Sequence, residues 1–400
     1  MNILNIKLFR SQALFVLGIS ILILNVLKFW ADYTIGLNHQ ILTLIQTILP
    51  LLFIFLLFKN ISTKIPTIIA WAFIFYHIIR GIAELSVISS TDASLDSMMP
   101  VLFSLLRVLL IFSLFMLLCM KFRKLTGIIV PLNLYLVYST IFSILQLPMS
   151  PVSDILVNFG GNLTSGNGLG LFRSNGGLAG TVIMYSNYLL ATFLLLFYKE
   201  PNNGKTQIFL WLVFFIAVFL CFSRSLFLSI FIILFFHVFF KKPILFILIG
   251  FLIIIVFYLN LNLILEQYKL MVGQSDSHRI ESWVKIIENY NFFTLFMGQE
   301  TGANTGFKLE GYRKITADGF LLAWYYDFGI IGLVLFLALM WLAVLQTGLD
   351  LISCISVFIA IVLMMFVNSG FEKSFIIFIY FFTLIVLKER DFSKCLSKSV

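Results

Sequence analysis

Thirty-five consecutive residues from Thr206 to Phe240, "TQIFLWLVFFIAVFLCFSRSLFLSIFIILFFHVFF", contain one formally charged side chain, Arg224, held between Ser223 and Ser225. As a single helix this run would be about 50 Å long at 1.5 Å per residue, well beyond a bilayer core of roughly 30 Å. Lys205 precedes it and Lys241-Lys242 follows it. The excess of lysine and arginine on cytoplasmic connectors assigns both ends to one side of the membrane. The run therefore reads as a hairpin of two spans, and "SRS" is its tip at the outer face.

The rest of the chain obeys the same logic. It is 61% hydrophobic and 11% charged, with a mean hydropathy of +1.05, whereas water-soluble domains carry roughly 25% charged residues. Apolar stretches recur at 11–30, 40–58, 65–83, 99–120, 126–147, 176–198, 206–222, 225–240, 243–262, 318–345, 350–368 and 372–388. This predicts an all-α polytopic membrane protein of about twelve spans. The opening "MNILNIKLFRSQALFVLG" has a basic tip but no small-residue cleavage site after it, so it is expected to remain as the first span.

The formal charge of +9 could suggest a nucleic-acid partner, but its distribution indicates topology. Lys7, Arg10, Lys59, Lys64, Lys121, Arg123, Lys124, Lys199, Lys205, Lys241, Lys242, Lys388, Arg390, Lys394 and Lys398 fall on alternate connectors. The other short connectors carry Asp32, Glu84, Asp92, Asp96 and Asp154. Both termini are therefore expected in the cytoplasm. Cys119, Cys221, Cys354 and Cys395 show no paired spacing and indicate neither disulfide nor metal. No internal repeat divides the chain, and residues 1–400 read as one membrane domain.

Two outer connectors are long. Pro148 to Asn175 includes most of the glycine-rich "FGGNLTSGNGLGLFRSNGG", and 263–317 is the one sizeable hydrophilic segment. Within the latter, Ile280, Trp283, Val284 and Ile287 recur at helical spacing, with Glu281, Lys285 and Glu288 opposite. That pattern predicts an amphipathic helix starting near Asp276-Ser277 and resting on the membrane or the bundle.

Three arginines converge on this outer side: Arg173 before the sixth span, Arg224 at the hairpin tip and Arg279 opening the amphipathic helix. A guanidinium is permanently charged and its planar fork matches phosphate oxygens. Each can anchor a span at the headgroups, or the three can bind a phosphorylated lipid. Arg107, inside the fourth span, suits a cavity-facing role, while Arg80 near the outer end of the third can also snorkel. His77 reads as a core histidine. Asn175, Gly176, Gly177 and Gly180 open the sixth span, where glycine admits a ligand or a neighbouring helix. Asp318 heads the tenth span as an N-cap, a base or a hydroxyl binder. Tyr312, Arg313 and Lys314 beside it can contact sugar or phosphate, or belong to a solvated loop.

Several short matches carry nothing. "DFG" at Asp327–Gly329 lacks every other kinase element and lies inside a span. "GNGLG" at Gly166–Gly170 follows no strand. No Asp-x-Asp and no His/Cys/carboxylate cluster has metal-ligand spacing, so a metal-free site without cofactor is expected.

The order of these features resembles a known family. Many spans, a short "SR" hairpin, a long external loop with an "R…W" helix, then "LFMGQETG" and "GFLLAWYYDFGIIGL", are similar to the bacterial O-antigen polymerase and ligase superfamily. The polymerase (Wzy type) is the closer match, over roughly Gly170 to Gly332. The resemblance implies a GT-C-like helical bundle in the inner membrane that acts at the periplasmic face in lipopolysaccharide or capsule biosynthesis. The implied donor is a glycan on undecaprenyl diphosphate, and the implied acceptor is one lipid-linked repeat unit. An acceptor hydroxyl would attack the anomeric carbon and the lipid diphosphate would leave, with Arg173, Arg224 and Arg279 stabilising its charge. Ser223, Asn175 and His278 would line the same site. A chain-length regulator and a flippase are the implied partners. Ligases carry a histidine near the end of the loop; here Asp318 occupies that place and His278 is the loop's one histidine. That departure leaves the general base unassigned. The rival readings are a ligase transferring glycan to lipid A core and a polysaccharide flippase, for which paired halves and broken helices at mid-bilayer would be expected.

Overall fold

A computed structural model describes residues 12, 15–28, 44–45, 47–49, 51, 65–91, 95–119, 129–146, 174, 176, 182–199, 204–221, 223–241, 243, 284, 291–299, 319–367 and 374–388. Among these residues the regular structure is entirely helical. In a medium without water every backbone N–H and C=O must be satisfied within its own segment, and a helix does that locally. The helices are α1 (Phe15–Lys28), α2 (Ile65–Thr91), α3 (Leu95–Cys119), α4 (Ile129–Leu145), α5 (Val182–Tyr198), α6 (Gly204–Cys221), α7 (Arg224–Lys241), α8 (Phe292–Met297), α9 (Phe320–Leu345), α10 (Leu351–Val367) and α11 (Ser374–Lys388).

Within α2, α3, α6 and α9, the stretches Ile68–Ser90, Met98–Cys119, Gly204–Cys221 and Phe320–Leu345 are long and apolar enough to cross a membrane. Shorter apolar helices of 10 to 17 residues accompany them. The chain is an α-helical membrane protein. The expected second span (40–58) is described only at a few helical residues, and the ninth span (243–262) and the amphipathic helix near 276–288 lie outside the described residues except at Pro243 and Val284.

α11 is the axis of the bundle. Every residue from Ser374 to Leu387 is buried, and α5, α3 and α9 pack around it. A helix that is apolar on all sides belongs in the interior. α6 and α7 lie further out. α6 packs on α4 and α5, and α7 packs on α5 and along α10. Their outer faces expose Ile208, Phe209, Leu212, Phe215 and Phe219, then Phe227, Leu228, Phe231 and Phe235. Such stripes of large apolar side chains suit lipid contact.

The chain breaks helix between Cys221 and Arg224 and turns back, as the length argument for the Thr206–Phe240 run requires. His237 near the end of α7 packs on Phe197 near the end of α5, with ring centroids 4.9 Å apart. α7 thus runs alongside α5 and opposite to α6.

The lysine-bearing ends gather at one end of the bundle. Lys388 Nζ donates to Leu118 O at the end of α3 (2.6 Å) and lies 3.5 Å from Gln346 Oε1 at the end of α9. Lys199 Nζ reaches Val386 O at 3.5 Å. Last-turn carbonyls have no intrahelical partner and carry the negative end of the helix dipole, so a lysine there satisfies both.

α2 runs to Thr91, two turns beyond the expected 65–83, and along "ELSVISST" the Ser86, Ser89 and Ser90 hydroxyls each donate to the carbonyl three residues earlier, which satisfies these polar side chains within the helix. α9 departs further from expectation. The stretch 318–345 reads as one span, but Gly329 has φ 66° and ψ −171° and divides it into two helices. Its N-cap is Gly319, with no side-chain cap hydrogen bond, so the N-cap role considered for Asp318 passes to its neighbour.

Candidate functional site

The bundle end opposite Lys199 and Lys388 is built around Ser174. This residue is fully buried. Its hydroxyl lies 2.8 Å from Ser143 Oγ and 2.7 Å from Gln146 Oε1, and it accepts from the Gly176 N–H at 2.9 Å. Ser139, Ser143 and Gln146 recur at helical spacing, so one face of the last turns of α4 is polar and receives it. The Ser174 N–H donates to Leu220 O at 3.0 Å. The segment entering α5 is thus tied to the last turn of α6, four residues before Arg224. Gly176 turns there with φ 64°, and a Cβ on it would strike the Tyr185 ring. Of the two uses of glycine considered for this stretch, Gly176 serves close packing.

Ser223 O accepts the first intrahelical bond of α7 from the Phe227 N–H at 3.1 Å, which makes Ser223 the N-cap residue. Its hydroxyl lies 3.1 Å from that of Ser225. Arg224 is the first residue of α7 and is exposed. A helix N-terminus carries the positive end of the dipole and disfavours a cation by about 0.3–1 kcal/mol. The arginine is therefore at the wrong end for helix stability and at the right end for recruiting an anion.

A second constellation lies at the break in α9. Tyr76 and Arg80, one turn apart on α2, face it. Tyr76 OH donates to Phe328 O at 2.7 Å, a carbonyl next to the break. Arg80 Nε and Nη2 donate to Met297 O (2.9 Å) and Gln299 O (3.0 Å), and Nη1 to Glu84 Oε2 (2.7 Å). The Gln299 N–H donates to Tyr326 O at 2.8 Å. Gly298 has φ 86° and stacks backbone to backbone on Gly329. A Cβ on Gly298 would meet the Asp327 carbonyl, and one on Gly329 would meet Phe296 O and Gly298 N. The short helix α8, which lies within the 263–317 connector, thus docks at the broken span. His77 is buried among the Phe73, Tyr76, Trp324 and Phe328 rings, with Nδ1 2.6 Å from Phe73 O, as a core histidine would be.

Of the residues singled out in the sequence, Ser223 and Arg224 stand at the hairpin tip, Arg80 at the α8 junction, and Arg107 half-buried in the middle of α3. Arg173, Asn175, His278, Arg279, Tyr312, Arg313, Lys314 and Asp318 lie outside the described residues. No sequence feature marks Ser174; Gly298 and Gln299 enter the sequence reading only within "LFMGQETG", and Asp327 and Gly329 only within the "DFG" match that carries nothing there. The signal was present for the last two, since an aspartate and a glycine inside a span mark a break or a polar contact. Asp327 is only 4% exposed. "DFG" is no kinase motif, but it is where the helix parts. Among the described residues no group of three or more His, Cys, Asp or Glu could hold a metal ion.

Comparison with protein-family models and with curated proteins finds no match for this chain. What fold and site define together is a class: an α-helical membrane protein with an arginine-bearing hairpin tip at one end and a loop helix docked at a broken span.

Proposed function

We propose that this protein is a polymerase of lipid-linked oligosaccharides in a bacterial inner membrane. It has a GT-C-like bundle of about twelve spans, cytoplasmic termini and an active site at the periplasmic end. The observation that carries the reading is the Ser174 N–H to Leu220 O bond. It joins the segment that follows Arg173 to the turn that precedes Arg224, as a shared diphosphate site for the two arginines requires. The position of Arg224 at a helix N-terminus, away from the lysine-rich end, adds to it.

In this reading Arg224, Arg173 and Arg279 bind the diphosphate of an undecaprenyl-linked glycan at headgroup height. A hydroxyl of a second lipid-linked repeat unit attacks the anomeric carbon. The new glycosidic bond forms as the carbon–oxygen bond to the diphosphate breaks, and the arginines stabilise the charge left on the leaving group. Ser223, Asn175, His278, Tyr312, Arg313 and Lys314 contribute donors to sugar and phosphate. Asp318 binds the attacking hydroxyl or takes its proton. The energy resides in the diphosphate linkage, so neither nucleotide nor cofactor enters.

The test is reconstitution. Purified protein in nanodiscs, supplied with lipid-linked repeat units, should yield a ladder of chain lengths and retain it in excess chelator. Absence of any ladder, with transfer to a lipid A core acceptor instead, would establish the ligase reading in its place.

A further inference from the structure

The long outer connector, 263–317, is not free along its length, because residues 291–299 are held against the bundle at their C-terminal end, where Gly298 is buried. α8 has six residues and cannot be stable alone, since isolated helices this short are marginal in water. Its N-terminus is closed by Asn291 and Thr294, which bond reciprocally, but Phe292 and Phe293 are exposed at 81% and 68% and contribute little packing. The hold is at the other end. Gly298 and Gly329 allow backbone-to-backbone contact, and Arg80 reaches the terminal carbonyls of Met297 and Gln299 while Glu84 orients its guanidinium. The Arg80 and Glu84 side chains are only 16% and 15% exposed, so these bonds are largely shielded from water.

We propose that Arg80 is a positioning residue that fixes the outer loop, by clamping the C-terminal end of α8 in the break of α9. The clamp divides 263–317 into two shorter arms, 263–290 with His278 and Arg279, and 300–317 with Tyr312, Arg313 and Lys314. Holding 291–299 shortens the length of chain that either group of cations would have to order in meeting a ligand, and a shorter loop loses less conformational entropy on closure. Arg80 acts through Met297 and Gln299 rather than on substrate. The fork geometry is essential: two carbonyls and a carboxylate are served by three different nitrogens, and the compact ammonium of lysine cannot span them. The consequence for chain growth rests on the polymerase reading; the clamp itself does not.

Full-length protein in nanodiscs allows both parts to be tested with Arg80→Lys, which keeps the charge, and Arg80→Gln, which removes it. Hydrogen exchange at the Gly298 and Gln299 amides should accelerate at least tenfold in both variants, while peptides from 374–388 keep wild-type protection as a control for intact folding. With lipid-linked repeat units, kcat should fall at least tenfold with a smaller rise in KM, because Arg173 and Arg224 still hold the donor while Arg279 and the other loop cations are misplaced. Unchanged exchange at 298–299 in Arg80→Lys overturns the clamp. Accelerated exchange with unaltered kcat overturns the positioning role. If the wild-type protein makes no chains, the polymerase reading falls and the exchange result alone decides the clamp.

Discussion

Replacing Gly329 with alanine tests the broken span directly. At φ 66° and ψ −171° the backbone lies in a region open essentially to glycine, and a side chain there costs about 1–3 kcal/mol. The added Cβ would also land on Phe296 O and Gly298 N, backbone atoms with no rotamer to yield. Relief requires α8 to withdraw, which gives up the Gln299 N–H to Tyr326 O bond of 2.8 Å. Leaving a buried carbonyl such as Tyr326 O unsatisfied costs about 1–3 kcal/mol. The two effects bring the expected destabilisation to about 3 kcal/mol or more, on the order of a hundredfold in the unfolding equilibrium. SDS titration in mixed micelles, followed by tryptophan fluorescence, reads it. Gly204→Ala is the control: nothing lies within 4 Å of the Cβ position at that helix start, and its midpoint should stay within about 0.5 kcal/mol of wild type. Equal midpoints for Gly329→Ala and Gly204→Ala would refute the claim that backbone contact at the break holds α8 in place.

Ser174→Ala should destabilise by about 1–3 kcal/mol, because buried Gln146 and the Gly176 N–H each lose a hydrogen bond; the same titration measures it. Arg224→Lys and Arg224→Ala should both insert normally yet lose chain growth by about a hundredfold or more, since an ammonium lacks the planar two-point contact with phosphate. Chain-length profiles at matched protein level decide this, and near-normal chains from Arg224→Lys would return the residue to headgroup anchoring. A membrane-impermeant thiol reagent applied outside spheroplasts should modify Ser275→Cys and spare Cys395. Protection of Ser275→Cys would reverse the proposed orientation.

The amino-acid sequence alone determined what hydrocarbon solvation determines. Apolar runs of bilayer length have to be helices, a 35-residue run with lysines at both ends has to turn back, and the turn is expected at Ser223-Arg224-Ser225; the break lies between Cys221 and Arg224 and so includes Ser223, with Arg224 and Ser225 already in α7. Among the described helices most expected limits fall within a few residues of the observed ones, apart from α2, which runs on to Thr91, α5, which starts at Val182, and α9, which breaks at Gly329. These features follow from local length and polarity, which a linear string carries. Contacts between distant parts of the chain are a different matter. Nothing in "LFMGQETG" or "YYDFGII" announces that Gly298 will lie against Gly329, or that Arg80, some 217 residues from Met297, will bond its carbonyl rather than point to the headgroups. Ser174 beside Leu220 is equally invisible in one dimension. In a bundle of uniformly apolar helices many arrangements bury similar surface. The choice among them rests on a few polar groups that must find partners and a few glycines that admit backbone, and only the tertiary structure decides which those are.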